Sequence, residues 1–247
     1  MPKIHGEAIV RLDKLLSSLG YGSRKNILSM AKKGYIVLDS SSIHDASHKV
    51  NITSDMRDRL YIKGEKLDPM PGMVIMMNKP IGVTCSHKEV GKLVYDFLPD
   101  RWRHRTPALS TIGRLDKETS GLLLITDDGA LLHKIISPKN HVKKVYLVRV
   151  AQPLTKNAVD IFASGTLMLR GETKPLASAE LKIIEPKLAL VTITEGRYHQ
   201  VRRMFAAIGN RVKQLHRTQI GALQLPDTLD LSSWELLSTS DVTLIFD

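Results

Sequence analysis

The stretch Gly113-Arg114-Leu115-Asp116 places an arginine and an aspartate two residues apart, with a leucine between them that can anchor a turn. Residues 122–126 follow closely and predict a buried strand. A loop directly ahead of a buried strand is a rigid mount for a reactive side chain. The alternative is a surface ion pair, which stabilises a protein by only about 0–1 kcal/mol. We interpret Asp116 as a candidate catalytic carboxylate.

Other chemistries lack their motifs in this sequence. It has no phosphate-binding GxxxxGK[ST] loop, no GxGxxG, no Gly-x-Ser-x-Gly elbow and no zinc-type arrangement of cysteines and histidines. We therefore expect a reaction that needs no cofactor and no metal. An aspartate near apolar walls loses its charge unless a cation stabilises it, and the basic segment around Arg202 is a candidate source of that cation.

The composition is that of a protein with a sizeable aliphatic core. Of 247 residues, 43% are hydrophobic and only 5% aromatic. The single cysteine, Cys85, cannot form an intramolecular disulfide, which favours a reducing compartment. The N-terminal residues do not resemble a signal peptide, and the longest apolar runs are far too short to span a bilayer. We expect a soluble, cytoplasmic monomer.

The net charge of +11 indicates a polyanionic partner. Residues 130–159 and 196–217 each contain several lysines or arginines and no acidic residue. Two acid-free basic tracts around the candidate site favour a nucleic acid, although a mildly basic protein without such a partner is the alternative.

Residues 1–63 predict a small module. Leucines at positions 12, 15, 16 and 19 have helical spacing, and Gly20 and Gly22 end that helix. Ser23 is a candidate N-cap for a second helix up to Gly34, and a short strand follows at residues 35–38. Lys25 and Lys32 share the outer face of the second helix, which suits phosphate contact but is equally typical of a solvated face. Residues 64–72, GEKLDPMPG, predict a linker.

Residues 73–247 predict a larger domain. Strands are expected at 73–77, 122–126, 145–150 and 188–194, and residues 101–107 predict a basic loop. Helices are expected around 131–136, capped by Asp127 or Asp128, and at 198–208 with Gly209 at the C-terminal end. Since strands and helices do not alternate strictly, we predict an α+β fold with a mixed, mainly antiparallel sheet and flanking helices.

The run GRLDKETSGLLLITDDG closely resembles the signature of pseudouridine synthases. KKVYLV and TEGRYHQVRRM resemble two further motifs of that family, in its order and spacing, so the resemblance covers residues 73–234. Residues 10–60 resemble an RNA-binding module that some synthases share with a ribosomal protein and tyrosyl-tRNA synthetases. Asp39-Ser40-Ser41-Ser42 departs from the glycine-containing turn usual in that module.

The resemblance implies a cofactor-free isomerisation of uridine in RNA, with a role for four residues. Asp116 would be the essential carboxylate, and Tyr146 would stack on the target base. Arg202 would pair with Asp116, and Arg114 would help to fill the space that the flipped nucleotide leaves. Without the motif, Tyr146 would be interpreted as a packed strand tyrosine and Arg202 as a phosphate contact.

The resemblance also implies a ribosomal RNA substrate. The run GRYHQVRRMFAAIGNRV, followed by Leu215-His216-Arg217, resembles the branch that modifies a single uridine of small-subunit rRNA, whereas the large-subunit branch usually has an asparagine there. We expect one uridine of 16S rRNA as the target, within a partly assembled small subunit. The alternatives are a 23S rRNA synthase, a non-catalytic RNA-binding assembly factor and an N-glycosidase. The expected RNA contacts are Lys25, Lys32, Arg114, Lys143, Lys144, Arg197, Tyr198, His199, Arg203, Arg211 and His216.

Overall fold

A computed structural model describes residues 8–53 and 55–247, which fold as two compact units. The first unit contains the described residues up to Met73 together with Leu98–Ser110 and Thr126–Leu131. The second contains Val74–Phe97, Thr111–Ile125 and Leu132–Asp247. The fold is α+β, as the sequence predicts.

The first unit begins with a strand and two helices and continues with short strands and a third, four-residue helix. Its elements are β1 Ala8–Arg11, α1 Leu12–Ser18, α2 Arg24–Lys32, β2 Ile36–Leu38, β3 Ser41–Ser42, β4 Lys49–Ile52, α3 Met56–Arg59, β5 Leu60–Ile62 and β6 Glu65–Lys66. Strands β1 and β4 pair with each other, and the remaining four form an antiparallel sheet in the order β3-β2-β5-β6. Both predicted helices are confirmed.

Aliphatic side chains from both helices and from the sheet form the core of this unit. The leucines of α1 and Ile27 and Ala31 of α2 pack with Ile36, Leu60 and Ile62. Ser23 caps α2, since its Oγ accepts a hydrogen bond from the Asn26 amide at 3.2 Å. The turn without glycine is still tight, because Asp39 and Ser40 both adopt positive φ angles, 49° and 62°.

Three inserted or linking segments of the first unit are joined by buried polar contacts. Arg105 and Asp127 form a buried ion pair at 2.8 Å. Arg105 also donates to the Pro69 carbonyl at 2.9 Å, and the Gly72 amide donates to Asp127 at 2.7 Å. Residues predicted as a linker therefore include strand β6 and fixed polar contacts. The basic loop predicted at 101–107 contains a 3₁₀ helix, Asp100–His104.

The second unit is built on a nine-stranded mixed sheet. Its main path is β11-β12-β10-β13-β9-β7-β15, with β14 paired to β13 and β8 to β9. Along the chain the strands are β7 Val74–Lys79, β8 Ser110–Ile112, β9 Ser120–Thr126, β10 Lys144–Val150, β11 Glu180–Glu185, β12 Leu188–Ile193, β13 Val212–Ile220, β14 Leu223–Gln224 and β15 Trp234–Leu236. Strand β10 pairs antiparallel with β12 and β13, as do β11 with β12, β13 with β14 and β15 with β7, whereas β13 pairs with β9 in parallel.

The helices that accompany this sheet are α4 Gly129–Ile136, α5 Lys156–Ala163, α6 Gln200–Ala207 and α7 Thr239–Leu244. Asp128, and not Asp127, caps α4 by accepting from the amides of Ala130 and Leu131. Phe162 of α5 contacts Phe205 of α6 edge to face, with ring centroids 5.1 Å apart. Helix α6 begins two residues later than predicted, because His199 has left-handed backbone angles (φ 48°, ψ 32°).

One close backbone approach fixes how β9 meets β13. Gly121 has φ +105° and pairs with Arg217. A Cβ atom there would lie 2.2 Å from the Arg217 carbonyl oxygen. Only glycine fits this contact.

We expect Gly121→Ala to lower the unfolding free energy by about 1–3 kcal/mol more than Gly82→Ala does. Gly82 also has positive φ (+81°), but a Cβ there has no neighbour within 4 Å. Gly82→Ala therefore measures the cost of backbone strain without the cost of a steric clash. Urea unfolding of both variants measures the difference. Equal losses would contradict the packing constraint.

Candidate active site

The Asp116 loop lies between β8 and β9 and is anchored by Leu115, which is buried. The side chain of Asp116 is 31% exposed. It lines a small cavity of about 90 Å³ with Arg114, Tyr146, His199 and eight other residues, all of the second unit. The structure thus brings together three side chains to which the sequence assigns chemistry: Arg114, Asp116 and Tyr146.

Lys79 fixes the base of this loop. Its side chain lies at the end of β7 and is fully buried. Its ammonium group donates to the carbonyls of Pro80 at 3.0 Å, Asp116 at 3.1 Å and Thr119 at 2.8 Å. Burial lowers the pKa of Lys79. Lys79 was not predicted as a site residue from the sequence, although a lysine that ends a mainly apolar strand is an unusual feature.

Tyr146 is held by a buried arginine. It lies on β10 opposite Arg217 of β13. Arg217 is 4% exposed; its Nε donates to the Leu122 carbonyl at 2.8 Å, and its Nη1 to the Tyr146 hydroxyl at 3.4 Å. Its Nη2 has no hydrogen-bond partner among the described residues. From the sequence, Arg217 was assigned to a basic tract and to a motif of the small-subunit branch, and this contact with Tyr146 was not predicted.

The carboxylate of Asp116 faces His199. The distance from His199 Nε2 to Asp116 Oδ1 is 3.3 Å. The structure does not form the expected ion pair between Arg202 and Asp116: Arg202 Nη2 donates instead to the Glu118 carbonyl at 2.6 Å. Arg202, in the first turn of α6, thus binds the backbone of the Asp116 loop.

The segment before α6 is shaped by Gln200, whose side chain is buried. Its Oε1 accepts from the Arg197 amide at 2.8 Å, and its Nε2 donates to Glu195 at 3.0 Å. Tyr198 is 77% exposed and stacks on His199, with ring centroids 3.9 Å apart. An exposed aromatic ring therefore lies next to the group that faces Asp116.

Two expected RNA contacts are engaged within the protein. Arg197 and Arg203 both bind Glu172, at 3.3 and 2.8 Å. The hydrogen bond from Arg203 is the main reason that the pKa of Glu172 lies below its usual value. Residues 196–217 contain no acidic residue. Glu172 lies in another part of the chain, so the charge pattern of residues 196–217 does not predict that it pairs with Arg197 and Arg203.

His216, another expected RNA contact, does not lie on the side of the sheet that carries Asp116. Its Nδ1 lies 2.8 Å from Ser120 Oγ, and burial lowers its pKa. It lines a cavity of about 380 Å³ with Asn78 and Val145, whereas its neighbour Leu215 lines the Asp116 cavity. Successive strand residues point to opposite faces of the sheet, so His216 does not face Asp116.

The other expected RNA contacts are on the surface. Lys143 and Arg211 are exposed in the second unit, and Lys25 and Lys32 on α2 in the first. Arg114 is 68% exposed and lies 3.6 Å from Glu89. In residues 8–53 and 55–247 there is no group of three or more His, Cys, Asp or Glu side chains that could hold a metal ion. None of the helices in that part of the chain is long and apolar enough to cross a membrane.

Comparison with known proteins identifies the family. Residues 73–207 match the model of the RNA pseudouridylate synthases. The chain belongs to the RNA pseudouridylate synthase family. It is an isomerase that forms pseudouridine in RNA.

Similar proteins extend over nearly the whole chain. The ribosomal small subunit pseudouridine synthase A of Pasteurella multocida is 37% identical over 94% of this chain and 98% of its own. The protein of the same name from Vibrio cholerae is 37% identical over 96% and 100%. A crystal structure of a pseudouridylate synthase, 35% identical, covers 96% of this chain and 99% of its own, with a TM-score of 0.67.

In this synthase Lys144 lies two residues before Tyr146 and is less exposed than its neighbour Lys143. Its ammonium group donates to the Thr194 carbonyl at 3.4 Å. Burial, assisted by the charge of Arg217, lowers the pKa of Lys144 to about 8. Lys144 thus differs from the exposed phosphate contact that the sequence suggests.

The pKa of Lys144 predicts a pH effect on stability. The folded state releases this proton near pH 8 and the unfolded state near 10.5. Between these values the unfolded state binds more protons, so folding is favoured as the pH rises. We expect the stability of the wild type relative to Lys144→Met to increase from pH 8 to pH 10. Urea unfolding at several pH values measures it, and a pH-independent difference would contradict the burial of this charge.

Proposed function

We propose that this synthase isomerises one uridine of 16S rRNA. The observation that carries the proposal is the cavity in which Asp116, Tyr146 and Arg114 meet. The small-subunit target is supported by relatives whose names specify the ribosomal small subunit and that match over almost their full length.

The reaction needs a carboxylate and no redox partner. The bond from C1′ to N1 of uracil breaks, the base rotates, and C1′ joins C5. The proton on C5 is released and N1 gains one, so the atoms balance without a cofactor or a metal. Asp116 attacks C1′, adds to the base, or removes a ribose proton; each route requires an ionised carboxylate beside the glycosidic bond.

Tyr146 and Arg114 handle the base. The Tyr146 ring, held through its hydroxyl by Arg217, stacks on the uracil. Extrusion of a nucleotide costs a few kcal/mol. Arg114 offsets part of that cost by filling the space left behind, after exchanging its contact with Glu89 for one with RNA. Arg202 acts here through the Glu118 carbonyl, and so holds the loop that carries Asp116.

Contacts beside the target base set substrate choice. Tyr198, exposed and stacked on His199, is placed to contact a flanking nucleotide. Lys25, Lys32, Lys143 and Arg211 contact phosphates, since all four are exposed and none forms an ion pair with the described residues.

The wider setting of the enzyme is also a proposal. Residues 1–63 act as an RNA-binding module, 64–72 as a linker and 73–247 as the catalytic domain. The substrate is a partly assembled small subunit, and the enzyme is a cytoplasmic monomer. A non-catalytic assembly factor would retain the basic residues without needing Asp116, and an N-glycosidase would release free uracil.

The role of Asp116 is tested by Asp116→Asn, which preserves shape but removes the charge. We expect turnover at background and RNA binding within a few-fold of the wild type. Tritium release from RNA labelled at C5 of uridine measures turnover, because isomerisation displaces that label. Substantial remaining turnover would remove Asp116 from its proposed role.

The target is tested by mapping pseudouridines in cells with and without the gene, using carbodiimide treatment and primer extension. We expect one 16S rRNA site to disappear and 23S rRNA to be unchanged. Loss of a 23S site with an intact 16S pattern would overturn the small-subunit assignment and leave the chemistry standing.

A further inference from the structure

The four-stranded sheet of the first unit has one buried and one open face. Ile36 of β2 and Ile62 of β5 are paired and lie in the core. Side chains of adjacent strand residues point to the other face. Val37 and Tyr61, which pair with each other, therefore point to the open face. Tyr35 and Lys63 lie next to the ends of these two strands.

A cavity of about 390 Å³ lies on this face, lined by Gly34, Tyr35, Val37, Lys63 and Gly64. Tyr35 is 45% exposed, a large fraction for an aromatic side chain in a folded unit. The Lys63 amide donates to the Tyr35 carbonyl at 2.7 Å, which sets the two residues side by side at the end of the two central strands.

Two glycines border this cavity. Gly34 and Gly64 both have positive φ, 72° and 83°. A Cβ at Gly64 would meet no atom within 4 Å, and one at Gly34 would meet only His44 and Ser42 at 3.9 Å. Lys63 itself adopts φ 53°, a conformation uncommon for lysine. The turns on both sides of the cavity thus leave it bordered by backbone without bulky side chains at Gly34 and Gly64.

The charge of the cavity is positive. No carboxylate lines it. The nearby acids Asp58 and Glu65 have other partners: Lys66 lies 3.0 Å from Asp58, and Arg101 lies 3.8 Å from Glu65. Within the described residues Lys63 forms no ion pair, and its side chain is exposed.

We propose that this cavity binds one unpaired nucleotide of the RNA substrate, with the base stacked on Tyr35 and its phosphate held by Lys63. An exposed aromatic ring beside an unpaired cation is the pairing by which proteins hold single-stranded nucleic acid. The proposal rests on the proposed function, since RNA is taken as the partner. It adds to the expected contacts of Lys25 and Lys32 a stacking site on another surface of the module.

The test is RNA binding by the full chain carrying Tyr35→Ala, Tyr35→Phe, Lys63→Ala or the control Lys49→Ala. Lys49 is exposed on β4, in the other sheet of this unit. The probe is a single-stranded 12-nucleotide RNA of mixed sequence with one central 5-iodouridine. Filter binding gives affinity, and photocrosslinking with mass spectrometry gives the site of contact. Tritium release from 16S rRNA labelled at C5 of uridine, at saturating RNA, gives turnover.

We expect Tyr35→Ala to weaken binding by roughly five- to a hundredfold, the range found for loss of one stacked base, and Tyr35→Phe by less than about twofold. Lys63→Ala should reduce the slope of log affinity against log salt by roughly 0.7. Lys49→Ala should retain the affinity of the wild type. The crosslink should map to Tyr35.

Two results would overturn the proposal: a Tyr35→Ala variant that binds RNA as the wild type does, or a set of crosslinks that does not include Tyr35. Thermal unfolding of Tyr35→Ala and Tyr35→Phe checks that both remain folded. If the wild type makes pseudouridine while Tyr35→Ala retains full affinity, this site alone is refuted. If the wild type neither binds RNA nor makes pseudouridine, the proposed function fails as well.

Discussion

The geometry of the active site depends on one buried cation. The Lys79 ammonium group has lost its contact with water, and three backbone carbonyls replace that hydration. Leaving any of its three donors unpaired in the interior would cost about 1–3 kcal/mol. The carbonyls of Asp116 and Thr119 are therefore held at fixed positions around it. Because the Asp116 side chain extends from that backbone, the contacts of Lys79 fix its position relative to Tyr146.

A second buried cation lies behind the ring of Tyr146. Arg217 is buried behind Tyr146, and its charge acts on Lys79, Lys144 and Cys85. One of its nitrogens, Nη2, is buried and has no hydrogen-bond partner among the described residues. A buried donor left unpaired costs about 1–3 kcal/mol, so Arg217 is held in place at the expense of stability.

Local patterns in the sequence predicted what depends on local contacts. Ser23 caps α2, and aliphatic spacing placed α1, α4 and α6 to within a few residues. Pairings between distant segments were not predictable in this way. Glu172 pairs with Arg197 and Arg203, and Arg202 contacts the Glu118 carbonyl. These residues are far apart in the sequence, and the pattern of hydrophobic residues along a segment does not predict such contacts. His216 was misplaced because a single-residue change along a strand reverses the face on which a side chain lies.

The same reversal explains how the small module can offer two surfaces to RNA. In its sheet, Ile36 and Ile62 are buried, whereas Tyr35 and Lys63, directly beside them in the chain, are exposed. The helix carrying Lys25 and Lys32 covers the core with Ile27 and Ala31, and so leaves its lysines in solvent. Lysines on a helix read phosphate charge alone, whereas an aromatic ring requires an unpaired base. A module that combines both would distinguish exposed, single-stranded rRNA from duplex, and so would favour a target uridine before the surrounding RNA is paired and covered.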